Sequence, residues 1–498
     1  MILSNHLENK QECDKLKDKE GGYQMKKAKV ITRWIKRLLI CYLVFVCVFA
    51  IGIYYIPKHT FATMDPSTYY QEDVGCDRVV LVEHPQEAFS RRVELIRSAK
   101  KTLDVCYHNI KKGESADCFV GELIQAADRG VHVRVLLDDV LGGLQGEHKN
   151  LKLALLSHPN IEYRGYNPIH LLKPWDFHVR LHDKFIIADD AAMMLGGRNI
   201  GDEYFDPPYY DGKVTNDRDV LVLNTKANTK QSKDSVLADG AFYMNELWTS
   251  NRTAPQEELS NKELEEGKQA QSDAKAICNR WQKEYKDYYF PKETMEHVSL
   301  PTHQVSLLHN PLDGYKKEPV VGATVCNLLK NGKDIIIQTP YATANKYLLH
   351  ALKMIAHDAD VTLLTNSLAS SPNYPAFSNY ITQRKKFIQT GVNIYEYQSK
   401  DSIHGKTCLA NERLSIVGSL NLDDRSLYID TESVLVIDSK PFYQQLHQEM
   451  RQLIDDSAFV MPDNTYDPNA QGIVEVSFGK KCMMWVVSIF SRMFQCLI

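Results

Sequence analysis

A histidine followed two positions later by a lysine occurs twice in this chain, and each copy leads to the same set of polar and small residues. The first set is His182, Lys184, Asp189, Gly196, Gly197 and Asn199, and the second is His404, Lys406, Asn411, Gly418, Ser419 and Asn421. One such pair alone would be typical of a half-exposed strand, in which polar side chains alternate. Two copies with equal internal spacing instead indicate a duplicated functional unit.

Each pair precedes an apolar run, so the pattern predicts a strand on which the histidine and lysine side chains share one face. These residue types suit chemistry at an anionic phosphodiester, which is a poor electrophile until its charge is offset. Lysines supply positive charge, and a neutral imidazole can attack phosphorus to form a covalent phosphohistidine. A second imidazole can give its proton to the leaving alkoxide, so two histidines from two repeats fit this division of labour.

The repeated pattern resembles the signature of the phospholipase D superfamily, which is H-x-K-x4-D followed by a G-[GS]-x-N turn. The segments from Gly196 to Tyr204 and from Ser419 to Ser426 are similar to the bacterial cardiolipin synthase branch, particularly the C type. The resemblance covers most of the chain from about residue 83 to about residue 437. It thins at both termini and in the Lys- and Glu-rich stretch near residues 226–275.

The resemblance implies that the two copies meet at one active site. It assigns His182 as the nucleophile and His404 as the general acid/base, although the symmetry of the sequence leaves these roles exchangeable. The other catalytic candidates that it implies are Lys184, Asp189, Lys406 and Asn411, and the neutral donors to phosphate are Asn199, Ser419 and Asn421. It implies no cofactor and no metal ion.

Asn411 departs from the family signature, which has aspartate at that place. Asparagine keeps the size and a hydrogen-bond acceptor but loses the charge. Because the family's aspartate supports the motif and does not touch phosphate, we expect activity to survive this change.

Each histidine also needs a carboxylate that fixes its tautomer and orientation. Asp219 and Glu432 each stand near the head of an apolar strand that follows a motif. We interpret them as the orienting carboxylates, with Glu432 holding His404. The alternative is that both are ordinary acids at a strand edge.

The composition bounds the class of protein. A chain of 498 residues is long enough for more than one core-forming unit. Its formal net charge of −4 creates no basic field, so the composition does not favour a nucleic-acid partner. The 11 cysteines include no C-x-x-C pair and no zinc-like spacing.

The uncharged stretch from Leu38 to Ile56 would be about 28 Å long as a helix, which matches the hydrocarbon core of a bilayer. Lysines and arginines crowd its N-terminal side and acids follow it, so the positive-inside rule predicts a cytoplasmic N-terminus and an extracytoplasmic catalytic body. We therefore expect a single-pass anchor in the cell membrane. The apolar C-terminal tail has one narrow polar stripe, which indicates either an interfacial helix on the membrane or a helix packed on the globular body.

Both parts of the duplication repeat the order strand, helix, strand, helix, strand before the motif strand. This order predicts an α/β fold of two homologous halves, each a mixed, mostly parallel sheet flanked by helices, with an N-terminal transmembrane helix. The predicted segments are 1–37 (cytoplasmic basic segment), 38–56 (transmembrane helix), 57–75 (connector), 76–225 (first half), 226–300 (linker with a docked helix), 301–470 (second half) and 471–498 (amphipathic tail).

Three functions are consistent with these observations. The first is a phosphatidyltransferase of cardiolipin synthase type that acts on membrane phospholipids through a phosphohistidine. The second is a phospholipase D that hydrolyses phospholipids to phosphatidic acid with the same residues. The third is a non-catalytic membrane-bound lipid-binding protein, which the two intact histidine and lysine pairs disfavour. No motif specifies the lipid donor, the acceptor or an oligomeric state.

Overall fold

The computed structural model describes residues 27, 29–55, 65–491 and 497, except for the side chains of Glu147 and Phe490. The predicted cytoplasmic basic segment lies largely outside the described residues, as do residues 57–64 of the predicted connector and most of the tail after residue 491. The chain divides into two compact units, one holding the N-terminal helix and Leu171–Phe177 and the other holding the body of the protein.

Helix α1 (Lys29–Tyr55) is long and apolar enough to cross a membrane, which confirms the prediction of an apolar N-terminal helix of spanning length. Within its unit, the Tyr42 hydroxyl donates to the carbonyl of Leu171 (3.0 Å), and the Tyr54 hydroxyl donates to the carbonyl of Trp175 (2.5 Å).

The first half of the body alternates strands and helices up to its motif hairpin. Its elements are β1 (Asp77–Val82), α2 (Pro85–Ser98), β2 (Thr102–Tyr107), α3 (Glu114–Asp128), β3 (His132–Asp138), α4 (Lys149–Leu156), β4 (Ile161–Tyr166), β5 (Lys184–Ala188), β6 (Ala192–Gly196), α5 (Asp202–Phe205), β7 (Thr215–Asn216) and β8 (Asp219–Asn224). Strands β5, β6 and β8 are buried along their whole length, which explains why they read as continuous apolar runs.

The segment between the halves is more helical than the sequence indicated. It holds α6 (Val236–Thr249), α7 (Asn261–Glu284), α8 (Lys286–Tyr289), α9 (Met295–Val298) and β9 (Leu300–Pro301). Helix α6 covers the docked helix that was expected, but α7 occupies a stretch expected to be a polar linker. A capping box at Ser260 begins α7, and its buried face consists mainly of small residues that pack on α3 and α4.

The second half repeats the order of the first. Its elements are β10 (Gln304–His309), α10 (Val320–Leu329), β11 (Asp334–Gln338), α11 (Lys346–Asp358), β12 (Asp360–Asn366), α12 (Tyr374–Ile388), β13 (Asn393–Tyr397), β14 (Ser402–Ile403), β15 (Thr407–Ala410), β16 (Leu414–Gly418), α13 (Asp424–Tyr428), β17 (Ser433–Asp438), α14 (Lys440–Asp455), β18 (Ser457–Phe459) and α15 (Phe478–Ser491).

Each half builds one 8-stranded sheet, and the strand orders are β4-β3-β2-β5-β6-β8-β1-β9 and β10-β17-β16-β15-β11-β12-β13-β18. The expected α/β fold of two homologous mixed sheets flanked by helices is confirmed. Within the two 8-stranded sheets, parallel pairing is limited to β2-β3-β4 and β11-β12-β13, so these sheets are less parallel than expected. The reason is that short hairpins join each motif strand to its successor, and such turns connect antiparallel strands only.

A buried arginine ties the two halves together behind the motif strands. Arg218 forms a two-point ion pair with Glu83, with its Nε and Nη2 each 2.7 Å from a carboxylate oxygen. Its Nη1 donates to Gln338 (2.6 Å) and to the hydroxyl of Thr407 (2.8 Å), both in the second half. A planar guanidinium satisfies all these acceptors at once, which fixes the register of one half against the other.

Candidate active site

The two motif strands occupy equivalent central places, because β5 pairs with β2 and β15 pairs with β11. His182 and His404 lie just before these strands, and the side chains of Lys184 and Lys406 are buried beside them. The charges of both lysines act on both imidazoles, and His404 acts on His182. The structure therefore brings all four residues into one site between the halves.

Each motif histidine is anchored through the opposite half. The main-chain N–H of His404 donates to the carbonyl of Asn216 (2.6 Å), where β14 runs parallel to β7. The main-chain N–H of His182 donates to the hydroxyl of Thr431 (3.0 Å), whose own N–H donates to the carbonyl of Arg180 (3.0 Å). The segment before each motif thus lies against the segment that follows the hairpin of the other half.

This crossed arrangement brings a buried carboxylate to each imidazole. Nδ1 of His182 lies 2.9 Å from Oε1 of Glu432, and Nδ1 of His404 lies 2.6 Å from Oδ2 of Asp217. A carboxylate at Nδ1 favours the tautomer with its proton on that atom and leaves the lone pair on Nε2. A carboxyl group of each half therefore orients the histidine of the other half.

Two of the expected contacts are corrected by this geometry. Asp219 was expected to orient a histidine, but it lies inside the first half, where Arg92 (3.0 Å) and Arg198 (3.1 Å) donate to its carboxylate. Asp217 lies two residues before the start of β8 and reaches the second half instead. Glu432 does orient a histidine, but its partner is His182 and not His404.

The residue after the first motif glycine is Gly197 in the first half and Ser419 in the second. Each residue suits the carboxyl group that lies beside it. A Cβ added to Gly197 would lie 2.4 Å from Oδ1 of Asp217, so that position has no room for a side chain. The equivalent Ser419 donates its hydroxyl to Glu432 and accepts from the main-chain N–H of Ser433 (3.0 Å). Ser419, expected to bind phosphate, therefore directs its hydroxyl to the carboxylate.

The pKa values of the two carboxyl groups are shifted in opposite directions. Burial raises the pKa of Glu432 well above its usual value, and the opposing effect of Lys184 does not overcome it. Burial also works to raise the pKa of Asp217, but Lys406, His404 and Arg198 outweigh it and hold that pKa below its usual value. The ionised form is therefore favoured more strongly for Asp217 than for Glu432.

Burial also lowers the pKa values of the motif histidines and lysines. It lowers the pKa of His182 well below its usual value and that of His404 to about 4, and the nearby lysines add to both shifts. It lowers the pKa of Lys184 to about 8 and that of Lys406 to about 7. A site in which burial and neighbouring cations lower these pKa values is complementary to a phosphate, whose negative charge would favour the protonated forms.

The two motif asparagines have spare hydrogen-bonding capacity. Within the described part of the chain, the side-chain oxygens of Asn199 and Asn421 are buried and have no hydrogen-bond partner. The amide nitrogen of Asn199 donates to the Tyr204 hydroxyl (3.3 Å). These oxygens accept hydrogen bonds and would suit a hydroxyl group of a ligand, whereas the amide NH2 groups of both asparagines stay candidates to donate to phosphate.

Asp189 and Asn411 lie at the far ends of the motif strands β5 and β15. At the usual rise per residue, each is about 15 Å along its strand from the motif lysine. Both have left-handed backbones, with φ of 52° and 57°. The Asp189 carboxylate accepts from the main-chain N–H groups of Lys100 (2.8 Å), Lys101 (2.9 Å) and Thr102 (2.8 Å). Both residues shape the hairpin turn, which corrects their assignment as catalytic candidates.

Aromatic rings that the sequence analysis missed surround the imidazoles. His108 follows β2, its ring centroid lies 5.0 Å from that of His182, and its Nδ1 lies 2.7 Å from the carbonyl of Leu181. The rings of Tyr204 and Tyr341 each lie 6.1 Å from that of His404. The position of His108 at the end of a strand beside the motif strand was a usable signal in the sequence, because such strand ends gather at one edge of a sheet.

The chain matches a known family over both motif regions. The family described as cardiolipin synthase, PLD-like domain, matches residues 93–230 and 325–454, which together exceed half of the chain. The chain is 28% identical over 424 residues to an uncharacterized protein of Helicobacter pylori, covering 76% of this chain and 80% of that protein. It is 27% identical over 421 residues to cardiolipin synthase C of Escherichia coli, covering 76% of this chain and 85% of that enzyme.

A solved structure shows the same fold. The crystal structure of phosphatidylserine synthase from Haemophilus influenzae superposes with a TM-score of 0.58 at 15% identity, covering 88% of this chain and 97% of that one. The family match and the paired motifs agree on the relationship. The chain belongs to the cardiolipin synthase, phospholipase D-like domain family.

Proposed function

We propose that the protein is a phosphatidyltransferase of cardiolipin synthase type, which moves a phosphatidyl group between phospholipids through a phosphohistidine. The observation that carries this proposal is the pair of imidazoles, each held at Nδ1 by a buried carboxylate and each beside a buried lysine. The similarity to a protein named cardiolipin synthase C supports the choice of phospholipid as the substrate class.

In the first step, Nε2 of His182 attacks the phosphorus of the donor lipid. The bond from phosphorus to the oxygen of the leaving alcohol breaks, and His404 gives that oxygen a proton. Lys184 and Lys406 offset the charge on the non-bridging oxygens, and the amides of Asn199 and Asn421 are candidates to hydrogen-bond them.

In the second step, a hydroxyl group of the acceptor lipid gives its proton to His404 while its oxygen bonds to phosphorus. The bond between phosphorus and Nε2 of His182 breaks, which restores the free enzyme. Water in place of the acceptor would yield phosphatidic acid, so exclusion of water decides between transfer and hydrolysis.

In this scheme, the negative charge of the bound phosphate favours protonation of His404. His404 has a pKa of about 4 without ligand, yet it must carry a proton when the alcohol leaves. A phosphodiester anion beside it raises its pKa, and the ionised Asp217 stabilises the imidazolium that forms. No cofactor takes part in the proposed reaction.

We also propose that the body lies outside the cytoplasm, because basic residues precede the apolar part of α1 and acids follow it. Protease added to spheroplasts that express the full chain should digest the body while a cytoplasmic marker stays intact. Protection of the body until lysis would reverse this orientation.

The purified full-length protein, reconstituted in vesicles, tests the reaction. Vesicles should contain phosphatidylglycerol, with or without phosphatidylethanolamine, and the products should be identified by mass spectrometry. Cardiolipin with release of glycerol or ethanolamine would support the transferase. Phosphatidic acid alone would instead support a hydrolase. An absence of turnover in both mixtures would contradict any catalytic function on these lipids.

A further inference from the structure

Helix α15, near the end of the chain, is packed on the body through one face only. Its Met484 is buried, and the hydroxyl of Ser491 lies 2.6 Å from that of Ser378 in α12. At its start, the ammonium of Lys480 donates to the carbonyl of Ala369 (3.0 Å). The sequence left open whether this helix lies on the membrane or packs on the globular body. Both can hold, because a helix that packs through one face still has an outer face.

The outer face of α15 is apolar. Its exposed side chains, with their exposed fractions, are Phe478 (81%), Trp485 (66%), Met483 (54%), Ile489 (49%) and Val486 (44%). A surface helix of a soluble domain normally turns polar residues outward. A contiguous strip of large apolar side chains on one helix face indicates a binding surface.

The start of α15 lies close to the active site. Lys480 stands 5.6 Å from the centre of the Tyr374 ring, at the beginning of α12. The preceding residue, Asn373, hydrogen-bonds the side chain of Tyr341, whose ring packs against His404. Three side-chain contacts, together with the chain link between Tyr374 and Asn373, thus connect the helix to the catalytic imidazole.

The end of the tail approaches the other motif. The carbonyl of Leu497 accepts from Nη1 of Arg425 (3.4 Å), and Nη2 of the same arginine donates to the carbonyl of His178 (3.0 Å). His178 belongs to the segment that leads to His182. The tail therefore begins near one catalytic histidine and ends near the approach to the other.

Positive charge accompanies this apolar strip. Lys480 and the exposed Lys481 begin the helix, and Lys213 lies close enough for its charge to act on Lys480. An apolar helix face with tryptophan beside lysines is typical of a helix that lies in the headgroup region of an anionic bilayer. A protein partner would need no such positive margin.

We propose that the outer face of α15 enters the phospholipid bilayer and holds the mouth of the active site against the lipid surface. The proposal rests on the proposed function for its choice of bilayer phospholipid as the substrate. Side chains on such a helix reach about 5–10 Å into the membrane, which lets a donor lipid move into the site without leaving its leaflet.

A fluorescence measurement tests the contact without reference to catalysis. The full chain is reconstituted in vesicles with and without phospholipids brominated on their acyl chains, alongside Trp485→Phe. The emission that this substitution removes should be quenched by the brominated lipids, because bromine quenches on contact. Equal emission of Trp485 in both kinds of vesicle would overturn the proposal, whatever reaction the protein catalyses.

A kinetic comparison tests the consequence for substrate access. The triple variant Phe478→Ser, Trp485→Ser, Ile489→Ser should lose at least tenfold in turnover on bilayer phosphatidylglycerol. It should keep normal turnover on a short-chain phosphatidylglycerol below its micelle concentration, which needs no membrane. Phe242→Ser is the matched control, because Phe242 is 64% exposed on α6 and lies outside the proposed surface.

The outcomes separate the two proposals. No turnover of wild-type protein on either substrate would contradict the proposed function, and the quenching result would still stand. Equal loss by the triple variant on both substrates would contradict a role in access. Normal bilayer turnover by the triple variant would overturn the proposal outright.

Discussion

The two halves bring the same residue types to one site but hold them differently. The second motif presents His404 to an ionised Asp217, whereas the first presents His182 to Glu432, whose pKa is raised by burial. The more readily a carboxyl group ionises, the more it stabilises an imidazolium beside it. The two repeats thus share their histidine, lysine and asparagine residues, but the pKa values of their carboxyl groups are shifted in opposite directions.

This difference separates two roles that the symmetric sequence left exchangeable. The general acid must be an imidazolium when the alcohol leaves, which suits His404 beside the charged Asp217. The nucleophile must keep a free lone pair, which suits His182, because burial and its neighbours His108 and Lys184 favour the neutral form. We infer that the order expected from the family is also the order that the charges favour.

The largest expected effect is the loss of either histidine. His182→Ala and His404→Ala should each lower turnover on phospholipid by about 10⁴-fold or more, since the two act as one unit. A donor lipid with a nitrophenol leaving group needs no proton from a general acid. With that donor, His404→Ala should release one nitrophenolate per site in a burst, and His182→Ala should release none.

The adduct identifies the nucleophile. Mass spectrometry of His404→Ala after the burst should find a phosphatidyl group on the peptide that contains His182. A burst by His182→Ala with an adduct on His404 would exchange the two roles. Melting temperatures close to that of the wild type are the control for folding in both variants.

The next largest effect compares the two carboxylates. Asp217→Asn should lower kcat by about 10³-fold, because a neutral amide cannot stabilise the imidazolium of His404. Glu432→Gln should cost only about 10–100-fold, as is usual for a partner that orients a functional group without supplying charge.

The pH dependence of kcat separates these two explanations. His404 must be protonated in the complex, so activity is lost as pH rises through its pKa. Removing the charge of Asp217 lowers that pKa, so the descending limb should move to lower pH in Asp217→Asn and stay in place in Glu432→Gln. Equal losses with unmoved limbs would show that the charge difference between the halves does not matter for catalysis.

A smaller effect is expected from substitutions of the residue that contacts each carboxyl group, which is Ser419 for Glu432 and Gly197 for Asp217. Ser419→Ala removes one donor to Glu432, and a hydrogen bond of about 1.5 kcal/mol corresponds to about tenfold in kcat. Gly197→Ala should cost more, because its new Cβ would meet Asp217 at 2.4 Å and displace it from His404. Steady-state kinetics of both variants, with melting temperatures, measures the difference. A harmless Gly197→Ala would mean that Asp217 can move without loss.

The sequence was sufficient for the duplication, the pairing of the motifs and the apolar N-terminal helix, because each has a local pattern. It was not sufficient for the choice between Asp217 and Asp219, which depends on where β8 begins. Sheet pairing places Asp219 opposite Gly196 and leaves Asp217 beyond the strand. The exchange of carboxylates between the halves is a property of how they dock, which no local pattern contains.

Helix α7 was missed for a different reason. Its buried residues Gly267, Ala270, Ala274, Cys278 and Trp281 recur at intervals of three and four, as a helix requires. Most of them are too small to register as an apolar stripe among many charged neighbours. Composition therefore indicated a linker where spacing indicated a helix.

The smallest effect is expected at the hairpin turns, where the halves differ by Asp189 and Asn411. Asp189→Asn should lower stability by about 1 kcal/mol, because its carboxylate accepts three main-chain hydrogen bonds, and should leave turnover unchanged. Asn411→Asp should change stability by less than about 0.5 kcal/mol, since both residue types tolerate the left-handed backbone. Asn411→Val is the contrasting variant, because a β-branched residue at a φ of 57° should be clearly destabilising. Calorimetric melting and steady-state turnover measured on the same samples test all three. A large loss of turnover in Asn411→Asp at an unchanged melting temperature would mean that the charge at this turn reaches the active site after all, and that the two turns are not merely structural.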